Sequence, residues 1–141
     1  MRVVGLDVGE RRIGVAVSDV TRTLARPLGV LHPGGLEDDA PRIAAAEVGR
    51  LADEEGGVAS IVVGLPAHLD GSASPMTPRV RKFAAELGRL TALPVTLQDE
   101  RLTSREAESR LALREKDWRA RKARLDAAAA AVILQDYLDT R

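Results

Sequence analysis

The sequence predicts a single α/β domain on a mixed five-stranded sheet flanked by helices, and three observations predict it. The first two apolar runs, residues 2–8 and 13–18, are rich in Val and lie only four residues apart, which is hairpin spacing. Later apolar runs at 60–64 and 94–98 alternate with segments that carry helix-start signals, the pattern of parallel strands joined by helical crossovers. The chain has 141 residues, 45% hydrophobic and 30% charged, which suits one compact core and is too short for two ordinary domains. Residues 1–141 therefore read as one domain.

Taken in order, Gly9-Glu10-Arg11-Arg12 joins the first two strands. Residues 24–31 form a third strand, which Pro27 confines to an edge or a bulge. Asp39-Ala40-Pro41 supplies an N-cap with proline in the first turn, opening a helix to about Glu55 that Gly56-Gly57 stops. Residues 60–64, Ser-Ile-Val-Val-Gly, have the apolar character of a strand covered on both faces. A loop rich in turn residues runs from 65 to 75, and Thr77-Pro78 caps a helix to about Leu90. The fifth strand is 94–98. Thr103-Ser-Arg-Glu106 forms a capping box for a helix to about Leu113. Residues 116–121 are polar and expected to be mobile, and 122–138 form a final Ala-rich helix. Three meandering strands followed by parallel ones complete the sheet.

Composition excludes several function classes. There is no cysteine, hence no disulfide, thiolate metal site or cysteine nucleophile. Phe83, Trp118 and Tyr137 are the only aromatics, too few for a base-stacking platform. No apolar run approaches the roughly 20 residues that span a bilayer, and Asp7 interrupts the N-terminal apolar stretch before it could act as a secretion signal. A cytoplasmic protein without membrane attachment is expected. Formal net charge is zero, but residues 37–55 hold seven acids against two bases, while 101–124 hold nine bases against four acids. A basic C-terminal third is how a modest nucleic-acid footprint looks, although solvated helix faces also carry such charges.

Three acidic positions stand out. Asp7 lies in a strand otherwise made of Val, Leu and Gly, where a carboxylate needs a partner, a metal or a place at the sheet end. Asp99-Glu100 follows directly on a strand expected to be parallel, and ligands sit at such C-terminal strand ends in open α/β sheets. Asp126 shares a helical stripe with Ala129, Ala130, Ile133 and Leu134, the stripe that should face the sheet. Two have a plainer reading, a turn-forming Asp beside Gly9 and acids favoured near a helix start, while an ionised Asp on a buried stripe like that of Asp126 is rare without a partner. Together they could converge at one sheet edge and hold paired divalent cations, which act on phosphodiesters. Carboxylates suit Mg²⁺ or Mn²⁺. His32 and His68 fall in Pro/Gly surroundings and read as surface residues.

These residues also carry a resemblance. Gly5-Leu-Asp-Val-Gly9 with Arg12-Ile-Gly-Val-Ala16, Val63-Gly-Leu-Pro66 with Asp70-Gly71 and Thr77, Asp99-Glu-Arg-Leu-Thr103, and residues 126–134 together strongly resemble the YqgF (RuvX) family over essentially the whole chain. The resemblance implies an RNase H-like fold and a nuclease related to RuvC-type enzymes. It implies Asp7, Glu100 and Asp126 as metal-binding catalytic acids and marks Arg12 for a substrate phosphate. RuvC-like relatives carry one acid at the end of the fourth strand. Here that place reads Gly64-Leu65-Pro66, so Asp99-Glu100 must substitute from a strand farther out, and reach favours Glu100.

The expected activity is thus metal-dependent cleavage of structured nucleic acid. Processing of the 5′ end of precursor 16S rRNA in ribosome biogenesis is preferred, with resolution of four-way DNA junctions as the alternative. Asp-x-Gly before a strand also resembles the first phosphate loop of sugar kinases and actin-like ATPases, but those need two such domains. A catalytically silent RNA-binding module is a third reading, against which the trio of acids speaks. With no heptad seam and few aromatics or methionines to anchor an interface, a monomer or weak homodimer is expected.

Overall fold

The computed structural model describes residues 1–54, 56–66, 74–99 and 118–140, for 118–126 the backbone alone. The elements are β1 (Arg2–Val8), β2 (Ile13–Ser18), β3 (Ala25–Leu31), α1 (Ala40–Ala52), β4 (Val58–Leu65), α2 (Met76–Thr91), β5 (Val95–Asp99) and α3 (Trp118–Thr140). The expected helix from 103 to 113 lies outside the described residues.

The strands form one sheet in the order β3-β2-β1-β4-β5. β1, β2 and β3 are an antiparallel meander, while β4 and β5 run parallel to β1. Proline 27 does sit on an edge strand, near a register shift between Val15 and Ala16 of β2. Pro has no N–H to give to a second neighbour, so the edge is where it costs least.

Side chains alternate across the sheet and build two cores. Val4, Leu6 and Val8 of β1, with Ile13, Val15, Ile61 and Val63, pack against Ala44, Val48 and Leu51 of α1 and Val80, Phe83 and Leu87 of α2. On the opposite face Val3, Ala16 and Val62 meet Ala130, Ile133, Leu134 and Leu138 of α3. α3 comes close to the sheet at Gly5. A Cβ there would stand 2.7 Å from Leu134 Cβ and 3.2 Å from the Ala130 carbonyl oxygen.

Three local expectations need correction. α3 begins at Trp118, four residues before the expected start, so the polar stretch 118–121 is helical rather than loose. Thr77 does not cap α2; the N-cap is Pro75 and Thr77 lies inside the first turn. Its buried hydroxyl instead donates to the Pro66 carbonyl at 2.5 Å and accepts from the Ser74 amide at 2.9 Å, stitching α2 to the end of β4. Asp39 is at the N-cap of α1 with Pro41 in the first turn, but its carboxylate bonds Arg42 at 2.6 Å instead of a backbone amide.

Candidate active site at the C-terminal end of β1

Asp7 is the penultimate residue of β1 and is half-buried. It shares a face with Val3 and Gly5, so it points to the α3 side. Its partner on β2 is Gly14. On β4, Leu6 pairs with Val63, which sets Gly64 level with Asp7. Asp7 therefore has glycine beside it on both neighbouring strands. Gly64 occupies the place where RuvC-like proteins were expected to carry an acid, and no side chain stands there.

The β1–β2 turn is tight: the Gly9 amide donates to the Arg12 carbonyl at 2.7 Å. This continues the ladder, so Arg12 falls on the same face as Gly14 and hence as Asp7. Diagonal neighbours of this kind have side chains about 7–8 Å apart at their bases, within reach of a long arginine. Arg12 is half-buried. The hairpin brings together the two residues that the sequence marked for one site.

β5 places one of the next two candidates, Asp99. Gly64 pairs with Gln98 and Leu65 with Asp99. Val95 and Leu97 pack on the α1/α2 core, so Asp99 belongs to that face and is exposed, opposite to the face of Asp7. Gln98 belongs to the α3 face, where its Nε2 donates to Asp136 Oδ2 of α3 at 2.6 Å. Sequence reading passed over Gln98 and Asp136; strand parity counted back from the Asp99-Glu100 pair was the available signal. Glu100 lies outside the described residues.

Asp126 is within α3, and its side chain is not described. Gln135 fixes the helix direction: it accepts from the Ala25 amide at 2.9 Å and donates to the Thr23 carbonyl at 2.9 Å, at the start of β3. Ala25 pairs with Ser18, whose Oγ accepts from the Val3 amide at 2.8 Å, so this anchor lies at the N-terminal end of β1. Ala130 lies over Gly5. Going back one turn from Ala130 carries the backbone to Asp126 and toward the Asp7 end of the sheet. Among the described residues no group of three His, Asp or Glu could hold a metal ion. Of the three acids, only Asp7 has a described side chain.

Charge is managed on the other side of the hairpin. Arg79 of α2 bonds both carboxylate oxygens of Glu37, through Nε and, at 2.8 Å, through Nη2, and reaches Glu10 at 3.0 Å. Its guanidinium holds the Glu37 carboxyl below the usual carboxylate range. A groove of about 750 Å³ beside it, lined by Leu36, Pro41, Pro78 and Phe83, opens between α1 and α2 and faces away from Asp7.

A meander of three strands continued by two parallel ones, with a carboxylate at the end of the central strand and a helix laid across that face, is the RNase H-like architecture of resolvases. The chain aligns with the fowlpox virus Holliday junction resolvase at a TM-score of 0.59, 13% identity and 99% coverage of both chains. It aligns with T. thermophilus RuvC in complex with a Holliday junction substrate at a TM-score of 0.55 and 18% identity, over 98% of this chain and 94% of that one. Those identities speak for fold alone.

Residues 1–140 match the profile of the family described as "RuvX: Holliday junction resolvase". A relative from Anaeromyxobacter sp. (strain Fw109-5), 49% identical over 143 residues that span 100% of this chain and 98% of its own, is named "Putative pre-16S rRNA nuclease". The chain belongs to the RuvX family, and it is a nuclease, an enzyme that hydrolyses phosphodiester bonds.

Proposed function

We propose that this nuclease is a divalent-metal-dependent endonuclease that processes the 5′ end of precursor 16S rRNA, with Asp7, Glu100 and Asp126 as its metal-holding acids. The observation that carries the reading is the placement of Asp7. It stands on the α3 face with glycine on both sides and Arg12 on the same face across the hairpin. The place of Asp99 supports Glu100 over Asp99, because Asp99 is exposed on the α1/α2 face, opposite to that of Asp7.

Carboxylate oxygens are the donors that hard cations prefer, so the acids fit Mg²⁺ or Mn²⁺, and a pair of such ions is the arrangement proposed. Bound there, the ions would supply the Lewis acidity that in-line displacement at phosphorus requires. The chain's own residues do the rest. The ladder of β1 fixes the backbone of Asp7 and with it the face on which the carboxylate stands. Arg12 offers a planar fork of N–H donors to non-bridging phosphate oxygens, which orients the scissile group and offsets its charge. Gly14 and Gly64 keep side chains away from the strand positions beside Asp7, where a sugar-phosphate backbone must approach.

The fold neighbours and the family description favour a second reading, cleavage of four-way DNA junctions. A junction is close to two-fold symmetric, so paired cuts need two sites related by a matching axis. End-processing of RNA needs one. We favour a monomer or weak homodimer acting on RNA in the cytoplasm. Among the described residues no helix is long and apolar enough to cross a membrane.

The test is incubation of purified protein with a precursor rRNA fragment and with a four-way junction, each with Mn²⁺, with Mg²⁺ and with EDTA. Metal-dependent cleavage of the RNA by a monomer supports the proposal. Symmetric junction nicking by a tight dimer, with no action on the RNA, would reverse it in favour of the resolvase.

A further inference from the structure

The turn between β1 and β2 carries Glu10, Arg11 and Arg12, and the structure sorts their charges. Glu10 is drawn to Arg79, on the α2 side, at 3.0 Å. Arg11 makes no ion pair among the described residues; it is exposed, and its Nη1 donates to the Gly34 carbonyl at 3.3 Å. That bond ties the segment after β3 to the hairpin. Leu31 pairs with Ile13, so His32 is the next position across from Arg12, and it too is exposed. The nearby Glu37 is occupied by Arg79 through both carboxylate oxygens. Arg11, tied to the segment two residues beyond His32, and His32, level with Arg12, thus both lie at the Asp7 end of the sheet, while Glu10 and Glu37 are drawn to Arg79.

We propose that Arg11 and His32 form a second phosphate-binding position for the substrate strand, on the β3 side of the cleavage site. The inference rests on the nuclease reading above and extends it along the substrate. Arg11 spends one N–H on Gly34 and keeps four for an anion, and the anchored guanidinium loses less freedom on binding than a loose one. An imidazole N–H of His32 adds a donor whether or not the ring is charged. Two strand spacings separate β1 from β3, about 10 Å. A contact that far from the reacting bond acts on substrate and transition state alike, raising affinity and leaving the chemical step unchanged.

The experiment measures binding of the full chain, in EDTA so that nothing is cut, to a single-stranded precursor rRNA fragment and to a four-way DNA junction over a range of salt. One phosphate contact contributes about 0.7 to the slope of log affinity against log salt for single strands and about 0.9 for duplex DNA. Arg11→Ala should flatten the slope by about that amount and weaken binding several-fold. Arg11→Lys should keep the slope, and Arg89→Ala, on the far side of α2, should change nothing. His32→Ala should weaken binding two- to fivefold. With metal restored, Arg11→Ala should raise KM while kcat holds. The arm in which the slope falls, RNA or junction, identifies the source of the phosphate. If wild-type protein binds and cleaves but Arg11→Ala and His32→Ala leave affinity and slope unchanged, the second position is wrong and the nuclease reading stands. If wild-type protein binds neither nucleic acid, both fall.

Discussion

Gln98 of β5 donates a 2.6 Å hydrogen bond to Asp136 of α3, joining the strand that leads into Glu100 to the helix that carries Asp126. A hydrogen bond to a carboxylate is worth more than one between neutral groups. Its place at the end of an edge strand makes it a fastener for two of the three proposed ligands. Gln98→Leu should lower stability by about 1–2 kcal/mol in urea unfolding. Cleavage should fall further than that loss of folded protein explains. Asp136→Asn keeps an acceptor for Gln98 and should be mild in both measurements. Equal behaviour of Gln98→Leu and Asp136→Asn would show that the bond does not position the site.

Asp7→Asn removes a charge at constant volume. The expected outcome is loss of cleavage by about 10²-fold or more, since a metal site is worth several kcal/mol of transition-state stabilisation. The melting temperature should move by no more than a few degrees. Glu100→Gln should match it in severity, while Asp99→Asn, on the opposite face of β5, should retain most activity. Cleavage assays on all three variants, beside their circular dichroism spectra, check the assignment.

Gly5→Ala tests the packing of α3. The added methyl would fall 2.7 Å from Leu134 Cβ, closer than real carbon atoms approach, and both it and the helix backbone have little room to move. Overpacking of this kind costs roughly 1–3 kcal/mol. Because the same helix carries Asp126, metal affinity measured by calorimetry should weaken together with stability. A Gly5→Ala protein as stable as wild type would mean that α3 shifts freely on the sheet.

The contact between Arg79 and Glu37 gives a pH signature. Arg79 holds Glu37 below its ordinary value of 4.5, so the folded chain binds this proton less readily than the unfolded chain. The stabilisation is fully present at neutral pH and is lost as pH falls below 4.5 through the lower folded value. Arg79→Met should therefore be most destabilised relative to wild type near pH 7, and the two should converge in strong acid. Thermal unfolding from pH 7 to pH 2 reads this directly. A gap that widens on acidification would contradict the assignment.

The sheet was legible because its strands are apolar runs with short or helix-length separations, and Pro27 announced an edge. The candidate site drew notice where a charge broke an apolar strand, as at Asp7 near the end of β1. Gln98 was not legible, because a polar residue in a strand reads as solvent-facing when its partner is 38 positions away. Nor was the role of Thr77. A threonine before proline looks like a cap, and only the approach of the β4 end shows that its hydroxyl is taken by Pro66. The start of α3 was placed late because its first turn, Trp-Arg-Ala-Arg, lacks the apolar stripe that marks the rest.

The cover that α3 provides has a consequence for the order of events during synthesis. Val3, Ala16 and Val62 belong to the first half of the chain, yet the residues that bury them, Ala130 to Leu138, are made near its end. While the nascent chain grows, one face of the sheet has its helices and the other is bare. The proposed ligands are spread over β1, the sequence just after β5, and α3, so the set is complete only after α3 has been made. On the proposed assignment, the site is complete only once α3 has folded down on the sheet.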